Sequence, residues 1–200
     1  IALDKGILVN KYLETNIAGV YAIGDCAQQT EVTGLRRPIE AVWYTGRMMG
    51  ETLAQTICGN KTAYKPGHWF NSAKFFEVEY QTYGWVNTDK RKQEHEQHFH
   101  WQHPHEPIAI TTAYHKETNQ LLGVNVFGIR LRHAVLDAWL SQHKSLDYCL
   151  AHWADALFDP EFSNSHQKDL LNHYNTVFQK ALKPVKKSWT RIFNPFSTKK

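Results

Sequence analysis

Cysteine is scarce in this 200-residue chain: Cys26, Cys58 and Cys149 are an odd number at wide spacing, with no C-x-x-C pair. That excludes a disulfide scaffold and a thiolate zinc site, and points to a reducing, cytoplasmic setting. Long apolar runs are missing too, none reaching the roughly 18 residues of a membrane-spanning helix, and mean hydropathy is −0.53. The eleven glycines contain no G-x-G-x-x-G, so no dinucleotide pyrophosphate loop is present. Gly123 to Gly128 has the spacing of a P-loop but runs into Ile129 and Arg130 inside a strand pattern. A G-x-S-x-G nucleophile elbow is also absent. The first residue is Ile1, and no basic segment followed by an apolar one comes after it, so no signal peptide is visible and a fragment of a longer protein is expected.

Acid is missing from the last stretch. Lys183, Lys186, Lys187, Arg191, Lys199 and Lys200 stand there without a carboxylate among them. Removing those six cations from the net charge of +4 leaves the rest of the chain at −2. A nucleic-acid-binding body is therefore excluded, and only the tail, residues 183–200, could be drawn to phosphate. There Trp189, Ile192, Phe193 and Phe196 interleave with the cations, a mix suited to peripheral contact with an anionic lipid surface. A frayed, solvated terminus fits the same residues.

What is present is a chain 42% hydrophobic and 21% charged, enough for one ordinary core or two small ones. Gly6 to Asn10 and Gly19 to Gly24 are short apolar runs that read as buried strands of an α/β sheet. Pro38 opens a helical pattern in which Val42, Gly46, Met49, Leu53 and Ile57 recur, with Gly59 past its end. The glycine- and proline-containing stretch around residues 59–67 is the expected boundary. Beyond it the period changes to two. Phe76, Val78, Tyr80 and Thr82 alternate with polar residues, as do Ile108, Ile110, Thr112 and Tyr114, and Leu121 to Phe127 forms a third strand. Helical faces follow, with Leu131, Val135 and Ala138 on one, Leu146, Leu150, Trp153 and Leu157 on the next, and Tyr174, Val177, Phe178 and Ala181 on the last. The second half thus reads as an antiparallel sheet followed by helices, and the chain as α+β.

The chemistry sits in Thr15 to Asp25. An apolar strand that stops at Gly24-Asp25 places a carboxylate at its end, where open α/β sheets bind ligands. The glycine admits a close approach, and a carboxylate accepts hydrogen bonds from sugar-type hydroxyls. A simple turn capped by aspartate would have the same last two residues. The whole segment, with Thr15, Val20, Tyr21, Ala22, Ile23, Gly24 and Asp25 in order, resembles the second FAD-binding motif of the pyridine nucleotide-disulfide oxidoreductase family. Arg37 to Gly46 resembles the flavin-facing helix of its NADH oxidase-like and ferredoxin reductase-like branches. The pattern from Trp69 onward looks like the carboxy-terminal interface domain.

The resemblance implies a carboxy-terminal portion of such an enzyme: residues 1–58 ending an α/β FAD-binding domain, 64–182 forming an interface domain, and 183–200 a basic tail. It implies FAD as cofactor of the parent protein, with Gly24 and Asp25 on the ribityl chain and the backbone N–H groups of Ile39, Glu40 and Ala41 facing the pyrimidine side of the flavin. NAD(P)H would be the reductant, a homodimer the assembly, and the electron acceptor unknown. Catalytic residues are not named by it, and the isolated chain is expected to be inactive. No paired redox cysteines or His-Pro-Thr segment occur, which speaks against disulfide reduction. A non-catalytic self-association module is the alternative. His95, His98, His100, His103 and His105 raise a metal site, but their alternation with Glu and Gln reads as a solvated face, and no metal is expected.

Overall fold

The computed structural model describes residues 1–161 and 164–185. The expected lipid-facing part of the tail, from Lys186 onward, lies outside the described residues. The amino-terminal part pairs β1 (Ile7–Val9) in parallel with β2 (Ala27–Gln29), and α1 (Trp43–Ile57) packs beside them. Its small core is Val9, Leu13, Ala22, Ala27, Met49 and Tyr64.

Two expectations fail here. The run Gly19 to Gly24 is not a regular strand: Tyr21 makes an isolated bridge to Glu14, and Gly24–Cys26 form a short 3-10 turn before β2. An apolar run makes extended backbone, but a strand also needs a neighbour for its N–H and C=O groups. Here the neighbour of β1 is the segment after Asp25. The helix also starts later than Pro38. Val42 is its extended N-cap, and Pro38 to Ala41 precede it because Gln29 donates to the Pro38 carbonyl and ties that stretch to β2.

The remainder is a five-stranded antiparallel sheet in the order β3-β4-β7-β6-β5, formed by β3 (Phe70–Phe75), β4 (Val78–Gly84), β5 (Glu96–Gln102), β6 (Ala109–His115) and β7 (Leu121–Phe127). Strand β7 has the bounds that its apolar run predicts. Phe76, expected to begin β4, turns the β3–β4 hairpin instead, at φ 52° and 96% exposed. One face of the sheet packs Phe99, Trp101, Ile110, Val124 and Val126 against α2 (His133–Ser141), α3 (Leu146–Ala151), α4 (Trp153–Ala156) and α5 (Gln167–Phe178). The helical stripe from Leu146 to Leu157 is split at His152, which ends α3 and caps α4. The fold is α+β. Among the described residues no helix is long and apolar enough to cross a membrane.

Candidate functional site

Asp25 is exposed on the 3-10 turn that follows the extended run, and Gly24 beside it holds φ +74°. A Cβ at Gly24 would meet nothing within 4 Å, so the left-handed backbone rather than crowding selects glycine there. The turn is fixed from behind by α1. The Gly24 amide approaches Met49 Sδ at 3.3 Å, and a Cβ on Gly46 would lie 3.5 Å from Gly24 Cα. The close helix contact expected at Gly46 is therefore present, against the turn rather than a strand.

One helical turn before Gly46, the chain borders a cleft of about 800 Å³. Arg37, Ile39, Glu40, Ala41 and Val42 form one wall. Thr82 and Gly84 of β4, Asn125 of β7 and the loop from Trp85 to Arg91 form the other. The structure thus brings Ile39, Glu40 and Ala41 together on one cleft and places Gly24 and Asp25 beyond its edge, connected through Gly46, whose amide donates to the Val42 carbonyl at 3.1 Å. Because α1 begins at Trp43, the amides of its open first turn are those of Trp43, Tyr44 and Thr45, not of residues 39–41.

The first wall is held by a buried ion pair. Arg36 Nη1 donates to Glu40 Oε2 at 2.6 Å, with both side chains nearly covered. Arg36 Nη2 donates to the carbonyls of Pro66 and Gly67, and the guanidinium lies 5.5 Å from the Trp69 ring. Thr45 Oγ1 approaches the same Glu40 oxygen at 3.4 Å. Glu40 Oε1, fully buried, receives no hydrogen bond. Trp69 stacks on Trp85 at 5.6 Å, and Gly84 donates to the Trp69 carbonyl, so the two walls are joined at one end.

The second wall is pinned by Glu96, 2% exposed. Its carboxylate accepts from Asn87 N and Nδ2 at 3.0 and 2.7 Å and from Gln93 N at 3.4 Å, and it meets His98 Nε2 at 2.6 Å. Burial pushes its carboxyl pKa up, but the bonds from Asn87 and His98 outweigh that and hold it below the ordinary glutamate value. Glu96 is therefore not on a solvated face, as its alternation suggests. It ties the β4–β5 loop to the sheet. The histidines have separate partners: His100 meets Thr111 Oγ1, His103 accepts from the Glu106 amide, and His95 stacks on His115. Among the described residues, no three histidine, cysteine, aspartate or glutamate side chains could hold a metal ion together.

Sequence reasoning missed Trp85, Asn87, Lys90, Arg91 and Asn125 as cleft residues, and Arg36 as the partner of Glu40. They come from separate loops and strands, and only the sheet register brings them together.

The model of the family "Pyridine nucleotide-disulphide oxidoreductase" matches residues 1–50, the segment that carries the Gly24-Asp25 turn and the start of α1. Through these residues the chain is similar to the pyridine nucleotide-disulphide oxidoreductase family. A curated relative, the nitric oxide reductase FlRd-NAD(+) reductase of Shigella flexneri, is 33% identical over 66 residues, which are 32% of this chain and 16% of that protein. The chain thus matches well under a fifth of that relative's length. The structure of a NAD-dependent persulfide reductase from A. fulgidus superposes with a TM-score of 0.60 at 18% identity, over 85% of this chain and 34% of that one. Reduced CoADR-RHD of Bacillus anthracis gives 0.58 at 22%, over 75% and 29%. These similarities to oxidoreductase structures extend past the matched 50 residues and establish the α+β fold.

Proposed function

We propose that this chain forms the ribityl- and isoalloxazine-facing part of a FAD-dependent NAD(P)H oxidoreductase, together with its interface domain. The observation that carries this reading is the Gly24-Asp25 turn clamped by Gly46 inside the segment that matches the family. The exposed Asp25 carboxylate accepts hydrogen bonds and presents itself to hydroxyls. The cleft beyond it has room for a ring system, with aromatic, cationic and amide groups in its walls. The residues present therefore fit FAD. Gly24 and Asp25 would hold the ribityl chain, and Ile39, Glu40 and Ala41 the pyrimidine side of the ring, with the first-turn amides of α1 behind them.

Bound FAD supplies the redox chemistry between NAD(P)H and an acceptor. This chain's part is positional. The Arg36–Glu40 pair fixes one wall and Glu96 fixes the other. The positive end of α1, which points its dipole toward the Val42 side of the cleft, favours negative charge there. The G-x-G-x-x-G loop would come from sequence outside these 200 residues. The interface domain, residues 64–182, would form a homodimer through residues 70–182.

Reconstitution with FAD tests the reading. The 200-residue chain should purify colourless, and a full-length protein carrying a pyrophosphate loop should purify yellow. Stoichiometric flavin on the 200-residue chain, or none on the full-length protein, would contradict it.

A further inference from the structure

Strand β7 carries one polar side chain, Asn125, and it faces the cleft. Val124 and Val126 on either side of it are buried against the helices, so Asn125 stands on the opposite face of the sheet, half-buried and open to the cleft. Because β7 lies between β4 and β6, the backbone that holds Asn125 is fixed by a ladder on each side. Two residues away on the same face, the Trp85 backbone lies against Gly123 so closely that a Cβ there has no room. The loop that carries Trp85 is thus anchored next to Asn125.

The carboxamide has a set orientation. Thr82 lies directly opposite on β4, and its Oγ1 donates to Asn125 Oδ1 at 2.6 Å. With Oδ1 turned to Thr82, Nδ2 keeps both of its protons and donates to nothing among the described residues. A donor on a rigid floor, with Trp69 and Trp85 to one side and Arg37, Lys90 and Arg91 in the walls, suits a planar ring that bears an electron-rich carbonyl oxygen. The pyrimidine ring of a flavin bears C2=O and C4=O. We propose that Asn125 Nδ2 donates a hydrogen bond to one of these two carbonyls, with Thr82 as the positioning residue that orients the carboxamide. This rests on the cleft being the flavin site.

The competing role is purely structural, in which the carboxamide serves only the bond between β4 and β7. Asn125→Asp separates the two. Its carboxylate still accepts from Thr82 Oγ1 but has no proton to give to a ligand.

The full-length protein is loaded with FAD labelled with ¹³C at C2 or at C4, and the two carbonyl stretches are read by infrared difference spectroscopy. A hydrogen bond lowers the stretch of the carbonyl that accepts it. One of the two bands should therefore rise in Asn125→Asp and in Asn125→Leu, and both variants should bind FAD about two- to tenfold more weakly than the wild type. Thr82→Val should give an intermediate band, since the carboxamide is then free to turn, and Thr82→Ser should restore the wild-type one. If Asn125→Leu does not fold, Asn125→Asp still reads the bond. Bands and affinity unchanged in Asn125→Asp would show that the carboxamide serves the sheet alone. Tighter binding of FAD by Asn125→Asp would show that an acceptor, not a donor, faces the ring. Either result would overturn the assignment while leaving the flavin site intact. A full-length protein without flavin would overturn the functional reading itself, and this inference with it.

Discussion

Gly46 of α1 faces Gly24 so closely that a methyl group on it would stand 3.5 Å from Gly24 Cα. That is ordinary van der Waals contact, with no room for more. The two glycines thus serve different needs, one for packing distance and the other for a backbone at φ +74°. Through this contact α1 fixes the turn bearing Asp25.

Gly46→Ala should accordingly be tolerated, since alanine fills the contact and gains up to about 1 kcal/mol of helix propensity. Gly46→Leu should cost about 1–3 kcal/mol by forcing α1 off the turn. Gly24→Ala should cost about 1–2 kcal/mol from the left-handed backbone, although space for the methyl is open. Urea denaturation followed by tryptophan fluorescence measures all three. A Gly46→Leu variant as stable as Gly46→Ala would contradict the packing.

Glu96 gives a pH-dependent signature. Its folded pKa lies below the ordinary value of 4.5, so its contribution to stability is complete above that value and fades as pH falls through the folded pKa. Glu96→Gln should cost about 1–3 kcal/mol at neutral pH, because Asn87 and His98 lose a charged acceptor. The gap between wild type and variant should narrow below about pH 4.5. Denaturation at pH 7 and pH 3 measures it, and an equal gap at both would show that the carboxylate charge contributes nothing.

The elements were legible where side-chain period and pairing agree. Leu121 to Phe127 is apolar except at Asn125 because β7 is an inner strand between β4 and β6, and its bounds followed from the sequence alone. Gly19 to Gly24 is equally apolar, but burial there comes from contacts with α1 and not from a ladder, which periodicity cannot distinguish. The Gly24-Asp25 turn was visible because its residues are contiguous. The cleft was not, because Arg36 meets Trp69 and Asn87 meets Glu96 only after the chain has folded back. Glu96 was misread as solvated because alternation gives the face of a strand but not the loop that closes over it.

The histidines should not form a tight metal site. His98 Nε2 is engaged by Glu96 and His100 Nδ1 by Thr111 Oγ1, so a metal would have to displace both bonds. Calorimetric titration with zinc should show no binding tighter than about micromolar, roughly 8 kcal/mol. A tight one-to-one isotherm that vanishes on combining His98→Ala with His100→Ala would contradict this.

The homodimer proposed through residues 70–182 needs a face. On the sheet, Phe75 stacks on Tyr80 at 6.0 Å and Tyr80 lies 5.9 Å from Phe127, an aromatic row of which Phe75 and Phe127 are exposed. Burying such a row against its own copy satisfies both surfaces. Light scattering at high concentration should give twice the chain mass, and Phe75→Lys with Phe127→Lys should return the monomer. A monomer mass for the wild type would remove the dimer from the reading.

Asp25 carries the sharpest consequence for cofactor binding. In the full-length protein its carboxylate would accept a hydrogen bond from a ribityl hydroxyl, and Asp25→Ala would leave that hydroxyl unpaired once the cofactor covers the turn. The loss should be about 1.5 to 3 kcal/mol, on the order of ten- to hundredfold in flavin affinity. Asp25→Asn should be milder, because its carbonyl still accepts. Neither change should alter the melting of the sheet and its helices, since the core from Tyr83 to Tyr174 contains no residue of the turn. Flavin retained after dialysis is the readout, compared among wild type and the two variants. Equal retention in wild type and Asp25→Ala would show that the carboxylate does not hold the cofactor.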